Sequence, residues 1–269
     1  MPFCVGCGRA IEPDSRFCAD CGASQTVKAD SSIVHYENGS TLFDSARYEE
    51  ALAEFDRAVR LDQSNPLYHL QKGIALWKLE DYQERPEAKA RYSHASKDEF
   101  RLSLTLYREV IRREPNEAAH HYNIARALAN LDLEKDSLRE VEQAVRLAPE
   151  VAQYHWFKAH VLSDLSRTGE AISEVDKTLN LAPTLGDGYI LKANLYADIG
   201  SRNEATKVLN DALLTLENDD KALSEFFNSL SDDVGSETLN EKRRSVLEPF
   251  FFKEMLGVAR QLKPSELLR

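Results

Sequence analysis

Glycine is scarce in this sequence and long apolar runs are absent, and each of these features excludes a class of protein. Only 11 of 269 residues are glycine, which argues against a fold built from many strands and tight turns. No apolar run approaches the roughly 18 to 20 residues that a membrane-spanning helix needs. The strongest apolar cluster, Phe250–Phe252, is followed directly by Lys253 and Glu254. We therefore predict a chain without a membrane span.

A surplus of positive charge is also missing. The chain has 34 Lys and Arg against 45 Asp and Glu, for a formal net charge of −11. This balance argues against general affinity for nucleic acid or anionic membranes, which bind basic surfaces. The N-terminus has neither the basic start nor the apolar core of a signal peptide, so we predict a cytoplasmic protein.

All four cysteines lie at the start of the chain, as two Cys-x-x-Cys pairs: Cys4 with Cys7 and Cys18 with Cys21. The two-residue gap allows both sulfurs of a pair to reach one ion with tetrahedral angles. A glycine follows each second cysteine, and it permits the positive φ that turns backbone N–H groups toward the sulfurs. Paired spacing of this kind, without a secretion signal, predicts metal ligands in a reducing compartment.

The residues up to Gly22 resemble the short zinc-ribbon family, a small β domain made of two such knuckles. The resemblance implies one structural zinc ion, held by Cys4, Cys7, Cys18 and Cys21. Four protein ligands leave no coordination position for water or substrate, which is typical of a structural rather than a catalytic site. We assign residues 1–26 to the ribbon and residues 27–32 to a small, polar linker.

Three alternatives for this head stay open: a pair of disulfides, a redox-active thiol pair and a nucleic-acid contact. A redox-active thiol needs cationic neighbours or a helix N-terminus to lower its pKa, and Arg9 and Arg16 are near the cysteines in sequence. A nucleic-acid contact needs a basic face, whereas the basic side chains of residues 1–30 are outnumbered by acidic ones.

The rest of the chain carries an internal repeat. Pro115, Pro149 and Pro183 recur at the same interval of about 34 residues, each after a helical stretch that the proline would end. Small residues recur as well, one in the first helical segment of each of five repeats. They are Gly39, Gly73, Ala125, Ala159 and Ala193. Because two helices approach closely only where side chains are short, these positions predict tightly packed helix pairs.

This pattern resembles the tetratricopeptide repeat family, whose unit is a pair of helices in about 34 residues. The first repeat matches best, with Tyr48, Ala51, Phe55 and Ala58 following Gly39 at the family's spacing. The resemblance implies an all-α helical solenoid of about five helix pairs with C-terminal capping helices, preceded by the zinc ribbon. We place the solenoid at residues 33–219 and the cap at residues 220–269, with Phe250–Phe252 as core beneath the cap.

The second repeat departs from this pattern. Its second helix matches only from Ser103 onward, about 18 residues later than the period requires, which indicates an insertion at about residues 83–101. A surface loop or an extended helix end is one interpretation. A dedicated contact element for a partner is the other, because long insertions are often functional.

The resemblance also implies where a ligand binds, because the first helices of this family line a concave groove that takes a peptide. Aromatic, amide and guanidinium groups at the matching positions suit a peptide ligand. The predicted groove residues are Tyr122, Arg126, Asn130, Gln153, Trp156, His160, Ile190 and Asn194, with Ala119, Asp164, Asp187 and Asp198 at neighbouring groove positions. For Tyr122 and Trp156 the alternative is packing against adjacent helices.

No catalytic pattern stands out, and His120, His121 and His155 are interpreted as packing or surface residues. We therefore predict a non-catalytic adaptor or scaffold that binds a protein or peptide, with zinc as its cofactor. Two alternative functions remain: a nucleic-acid-associated regulatory factor that uses the ribbon, and a zinc–thiolate redox sensor.

Overall fold

A computed structural model of the chain describes residues 31–83 and 85–235, together with residues 241, 243, 245–248 and 250. These residues divide into two compact units. The first contains the described residues up to Pro115 together with Arg126–Leu131, and the second contains Asn116–Ala125 and the described residues from Asp132 onward. The predicted zinc ribbon, with all four cysteines, and most of the predicted linker lie outside the described residues.

Within the described ranges the chain is helical, as predicted, and its regular elements are eleven bounded helices. The helices up to Arg113 are α1 (Ser32–Asp44), α2 (Tyr48–Leu61), α3 (Pro66–Asp81) and α4 (Pro86–Arg113). The later helices are α5 (Ala118–Ala129), α6 (Glu134–Leu147), α7 (Ala152–Asp164), α8 (Thr168–Leu181), α9 (Gly186–Asp198), α10 (Arg202–Leu216) and α11 (Asp220–Gly235).

The helices repeat in pairs, and the predicted period is confirmed. We call the first helix of each pair the A helix and the second the B helix. The A helices α1, α3, α5, α7 and α9 begin one repeat period apart, except that the step from Pro66 to Ala118 is longer. The start of α11, at Asp220, keeps the regular spacing from α9. Thus α11 takes the position of a sixth A helix, at the start of the predicted cap.

The extra residues of the second pair lengthen its B helix. Helix α4 has 28 residues, twice the 14 residues of α2, α6 and α8. Its proline, Pro86, stands in the first turn, where the missing N–H has no intrahelical partner to lose. No further proline or glycine follows before Arg113, so nothing in the sequence ends the helix earlier. Residues 86–101 are therefore an extended helix rather than a loop.

The repeated glycines of the A helices bring the two helices of a pair into contact. A Cβ on Gly39 would lie 2.7 Å from the ring of Phe55, and a Cβ on Gly73 would lie 2.7 Å from the ring of Phe100. Both rings are buried in the core of the first unit. The absence of a side chain in the A helix is therefore what makes room for an aromatic ring from the B helix.

We expect Gly73→Ala to lower the free energy of unfolding by about 1 to 3 kcal/mol, because the new methyl group overlaps a ring that is fully buried. Urea unfolding followed by circular dichroism measures the loss. Gly169→Ala is the matched control. Nothing lies within 4 Å of a Cβ built on Gly169 in α8, so alanine there should be neutral or stabilise by up to about 1 kcal/mol. Equal effects of the two substitutions would contradict this account of the pair interface.

The second unit has cores built by its own helix pairs. One core joins α6, α7, α8 and α9 through Val141, Leu162, Val175 and Leu195. Another joins α9, α10 and α11, and it includes Val246, Leu247 and Phe250 from the described residues after Gly235. Phe250 is therefore a core residue, as predicted, whereas Phe251 and Phe252 lie outside the described residues. Among the described helices, none combines the length and apolar character needed to cross a membrane.

Candidate functional site

The predicted groove residues belong to both compact units. Arg126 and Asn130 are assigned to the first unit, and the other six are assigned to the second. Asn130 donates its side-chain N–H to the carbonyl oxygen of Arg126, one turn earlier, at 2.8 Å. The predicted set is thus divided between the units, and six of its eight residues belong to the second unit.

Tyr122 is a core residue rather than an open groove residue. The residue is 7% exposed, and its ring lies 4.9 Å from the ring of Tyr154 and 5.5 Å from the ring of Phe157, centroid to centroid. The packing alternative therefore describes Tyr122, because two aromatic neighbours from α7 cover it. Little of its surface is left for a ligand.

Four of the predicted residues surround a single cavity of about 240 Å³ in the second unit. Trp156 and His160 come from successive turns of α7, while Ile190 and Asn194 come from successive turns of α9. Asp164 and Asp187, which were predicted at neighbouring groove positions, also line it, and the remaining lining residues are Ser163, Leu191, Ser229 and Arg243. Because the A helices α7, α9 and α11 all contribute side chains, the cavity lies on the A-helix side of the second unit. We call it the polar cavity.

Two nitrogen atoms at the polar cavity are closed to solvent and have no hydrogen-bond partner among the described residues. They are the Nε1 of Trp156 and the Nε2 of His160, whose rings meet edge to face at 4.4 Å. Burial, together with the positive charge of Arg243, lowers the pKa of His160 to about 4, so its imidazole is neutral near pH 7. Orphaned polar atoms in a native structure call for an explanation, and a bound ligand is one.

Among the described residues that line the polar cavity, Asp164 and Asp187 are acidic and Arg243 is basic. Arg243 donates two hydrogen bonds to Asp198, of 2.9 and 2.6 Å. Neither Asp164 nor Asp187 has an ion-pair partner among the described residues. Partial burial and the charge of Glu134 raise the pKa of Asp164, although Arg243 acts in the opposite direction. The cavity therefore has two carboxylates that no cation of the described chain binds directly.

A second cavity, of about 390 Å³, adjoins the first. Trp156 and Asp187 line both cavities, and the other lining residues are Ala152, Gln153, Ala182 and Leu185. The lining side chains are mainly apolar, so we call this the apolar cavity. Gln153 was predicted as a groove residue and lies here. Trp156 stands between a polar and an apolar compartment on the same side of the second unit.

A partly buried polar network, which was not predicted from the sequence, occupies the starts of the A helices. Histidine recurs at the fourth position of α1, α3, α5 and α7, and each Nδ1 lies 2.6 to 2.8 Å from a glutamate of its own B helix. The pairs are His35–Glu54, His69–Glu99, His121–Glu140 and His155–Glu174. In all but the second pair the glutamate follows its histidine at one constant interval, a spacing that could have been found in the sequence.

Lysines extend this network to the preceding helix pair. Lys72 of α3 binds Glu99 at 2.8 Å and reaches Asp56 of α2 at 2.7 Å. Lys158 binds Glu174 in the same way, and Lys192 of α9 reaches Asp176 of α8 at 2.6 Å. Interpreting His121 and His155 as packing or surface residues was therefore incomplete, because each of them is also bonded to a glutamate of its own helix pair.

His69 has an oxygen acceptor at each ring nitrogen. Nδ1 faces Glu99 and Nε2 faces the carbonyl oxygen of Gln63 at 3.0 Å, so only the protonated imidazole donates to both. Burial by itself lowers the pKa of His69, and so does Lys72. The hydrogen bonds to Glu99 and Gln63 and the charge of Glu99 outweigh them, and the pKa is raised above 6.5.

A raised folded-state pKa stabilises the protein fully below the unfolded pKa of about 6.5, and this stability is lost as pH rises through the folded pKa. We therefore expect the wild type to lose more stability than His69→Tyr between about pH 6 and pH 9. Tyrosine is a reasonable replacement, since Tyr189 occupies this position in α9 and donates to the carbonyl of Pro183. Urea unfolding at several pH values measures the difference, and His94→Gln, at an exposed position, is the control. If the free energies of unfolding of wild type and His69→Tyr changed in parallel with pH, the raised pKa of His69 would be contradicted.

A metal site is not found among the described residues, where no three His, Cys, Asp or Glu side chains are grouped to hold an ion. The predicted ligands Cys4, Cys7, Cys18 and Cys21 lie outside the described residues. The polar cavity, with its neutral histidine and its two carboxylates, is thus the candidate site of the described chain. Its chemistry suits binding, because it holds hydrogen-bond donors and acceptors around a cavity open to a ligand.

Comparison with known proteins supports the fold. The family described as TPR repeat matches residues 39–80. A search of curated protein sequences found no match. Among solved structures, the chain is similar to TTC0263, a thermophilic TPR protein in Thermus thermophilus, with a TM-score of 0.55 and 18% identity over 75% of this chain and 100% of that one.

Two further solved structures resemble the chain more distantly. One is MamA from Desulfovibrio magneticus RS-1, with a TM-score of 0.46 and 17% identity over 71% of this chain and 98% of that one. The other is YrrB, a TPR protein with an unusual peptide-binding site, with a TM-score of 0.41 and 20% identity over 74% of this chain and 93% of that one. By the family match and the likeness to TTC0263, the described helices form a tetratricopeptide-like solenoid, and residues 39–80 match the tetratricopeptide repeat itself.

Proposed function

We propose that this protein is a non-catalytic adaptor that binds a protein or peptide segment on the A-helix side of its second unit. The observation that carries the proposal is the pair of adjoining cavities that share Trp156 and Asp187. Tetratricopeptide repeat proteins generally mediate contacts between proteins, and this supports the same class of function here.

The two cavities have the composition of a peptide site. Tryptophan supplies a large rigid surface at low cost in conformational entropy, and buried aromatic residues are the usual anchors of protein interfaces. The orphaned Nε1–H of Trp156 offers a hydrogen bond that a peptide carbonyl can accept. Alternating polar and apolar compartments fit successive side chains of one chain segment. We expect micromolar affinity, about −8 kcal/mol, as for other modest peptide contacts.

Affinity capture with the full chain, read out by mass spectrometry, tests the proposal. We expect Trp156→Ala combined with Asp187→Ala to abolish the capture of the partner, while circular dichroism at the temperature of the capture still shows a folded helical chain. Trp77→Ala is the matched control, because Trp77 is the other tryptophan and is exposed in α3 of the first unit. If the double variant retains the partners of the wild type, the site lies elsewhere.

We also propose that residues 1–26 hold one structural zinc ion on Cys4, Cys7, Cys18 and Cys21. Support comes from the sequence: two Cys-x-x-Cys pairs, each followed by glycine, in a segment too short to fold on apolar burial. The four ligands leave no open position on the ion, so its contribution is to the folding of the head.

A further inference from the structure

The polar cavity of the second unit leaves three kinds of group without a partner among the described residues. Trp156 offers an indole N–H, His160 offers an imidazole nitrogen, and Asp164 and Asp187 offer carboxylates. The indole N–H can only donate a hydrogen bond, and ionised carboxylates can only accept. A ligand that satisfies this set must therefore carry both an acceptor and several donors, and the donors must tolerate two negative charges.

A cationic side chain on a peptide backbone meets these requirements. The backbone carbonyl accepts from Trp156, and the cation donates to the carboxylates. Anionic ligands are disfavoured, because Arg243, the cation that lines the cavity, already donates two hydrogen bonds to Asp198. The formal net charge of −11 favours a basic partner as well.

Arginine fits better than lysine. Its guanidinium presents five donors in a planar fork, which suits several acceptors around one cavity, and it also stacks on aromatic rings. The neutral His160 can accept one of these hydrogen bonds through Nε2, since burial and Arg243 hold its pKa at about 4. The raised pKa of Asp164 is consistent with a carboxylate that lacks a directly bound cation and would gain from one.

We propose that the polar cavity binds an arginine side chain of a partner peptide, while a neighbouring apolar residue of that peptide enters the apolar cavity. Trp156 and Asp187 contact both residues, since they line both cavities. Asp164 and Asp187 bind the guanidinium, and the indole N–H of Trp156 binds a peptide carbonyl. This inference rests on the proposed function and adds the chemical class of the ligand.

Calorimetry with defined peptides tests the assignment. The probe is Ac-Gly-Leu-Arg-Leu-Gly-amide, and its control carries citrulline in place of arginine, which keeps the shape and removes the charge. We expect the citrulline peptide to bind at least about tenfold more weakly, since a charge-assisted hydrogen bond is about twice as strong as a neutral one. Asp187→Asn should weaken the arginine peptide in the same way, while Asp211→Asn, the same change at an exposed position of α10, should not.

Nuclear magnetic resonance gives an independent readout. In a spectrum of the full chain the two indole N–H signals are assigned by Trp156→Phe. We expect the signal of Trp156 to move when the arginine peptide is added, whereas the signal of Trp77 stays in place. If the signal of Trp156 did not move at saturating peptide, the proposed binding of arginine in the polar cavity would be wrong.

Other outcomes are equally decisive. Equal binding of the citrulline peptide, tighter binding of a glutamate peptide, or no binding up to about 1 mM, roughly −4 kcal/mol, each overturns the proposal. Self-association that Asp187→Asn abolishes would assign the cavity to a second copy instead. If partner capture depends on Trp156 and Asp187 but arginine peptides do not bind, only this inference fails. If capture is independent of these residues, the proposed function fails.

Discussion

Glu174→Gln should lower the free energy of unfolding by about 3 kcal/mol, the largest stability loss that we expect from a single polar substitution in the described chain. The side chain of Glu174 is 7% exposed, and it accepts hydrogen bonds from three groups. His155 Nδ1 lies at 2.6 Å, Lys177 Nζ at 2.9 Å and Lys158 Nζ at 3.0 Å. A neutral amide keeps the shape, but it removes the negative charge that faces the partly buried ammonium of Lys158.

The pKa of Glu174 supports this magnitude and gives it a pH dependence. Burial alone would raise the pKa, but hydrogen bonds from His155, Lys177 and Lys158 lower it from 4.5 to about 2. A lowered carboxyl pKa stabilises the folded state above the unfolded pKa, and this stability is lost as pH falls through the folded pKa. The difference between wild type and Glu174→Gln should therefore be full above about pH 5 and should shrink as pH falls toward about 2.

Glu140→Gln is the matched control, because Glu140 holds the same position in the preceding repeat. Its side chain is 33% exposed, so water screens its interaction with His121. We expect it to cost about 1 kcal/mol or less. Urea unfolding of both variants at pH 7 gives the comparison. Losses of similar size at the two positions would show that burial of the carboxylate does not set the cost.

If the head binds zinc as proposed, Cys18→Ser should abolish zinc binding while leaving the helical circular dichroism nearly unchanged. The reason is that metal binding in a small Cys₄ head supplies its folding free energy, about 10 to 16 kcal/mol in zinc-finger peptides, whereas helix pairs are stabilised by their own neighbours. Elemental analysis of the purified chain should give one zinc per wild-type molecule and a large loss in the variant.

Ser15→Ala is a suitable control, since it alters a residue between the two cysteine pairs without removing a thiolate. It should retain zinc at the wild-type level. A wild type that carries no zinc would refute the metal assignment of the head. A large fall in helicity in Cys18→Ser would instead refute the separation of the chain into a head and an independent helical body.

The helix pairs were predictable because their signals are local and repeat. Glycine or alanine at one position of α1, α3, α5, α7 and α9, and proline after several of the B helices, give the period without any tertiary information. The extra length of the second pair was equally visible as a displaced motif. The sequence did not decide whether the inserted residues form a loop or a helix, because a polar stretch such as residues 87–101 suits a surface loop and a long exposed helix alike.

The candidate site was predictable by position but not by environment. Family spacing placed Trp156, His160, Ile190 and Asn194 on one side of the A helices, and the structure brings them around one cavity. Family spacing did not distinguish Tyr122 from the open groove positions, because the burial of Tyr122 depends on the two aromatic rings that α7 brings against it. Arg243, far away in sequence, also joins the cavity, and no motif pointed to it.

The sequence by itself determined the helical class and the register of the repeats, because both depend on residues that are close along the chain. It also determined the cysteine spacing that predicts a zinc head. Tertiary structure decided which polar groups find partners: it gave Glu174 three donors and left the indole N–H of Trp156 with none among the described residues. Such differences arise from side chains that meet across helices, where burial changes the strength of every charge and hydrogen bond.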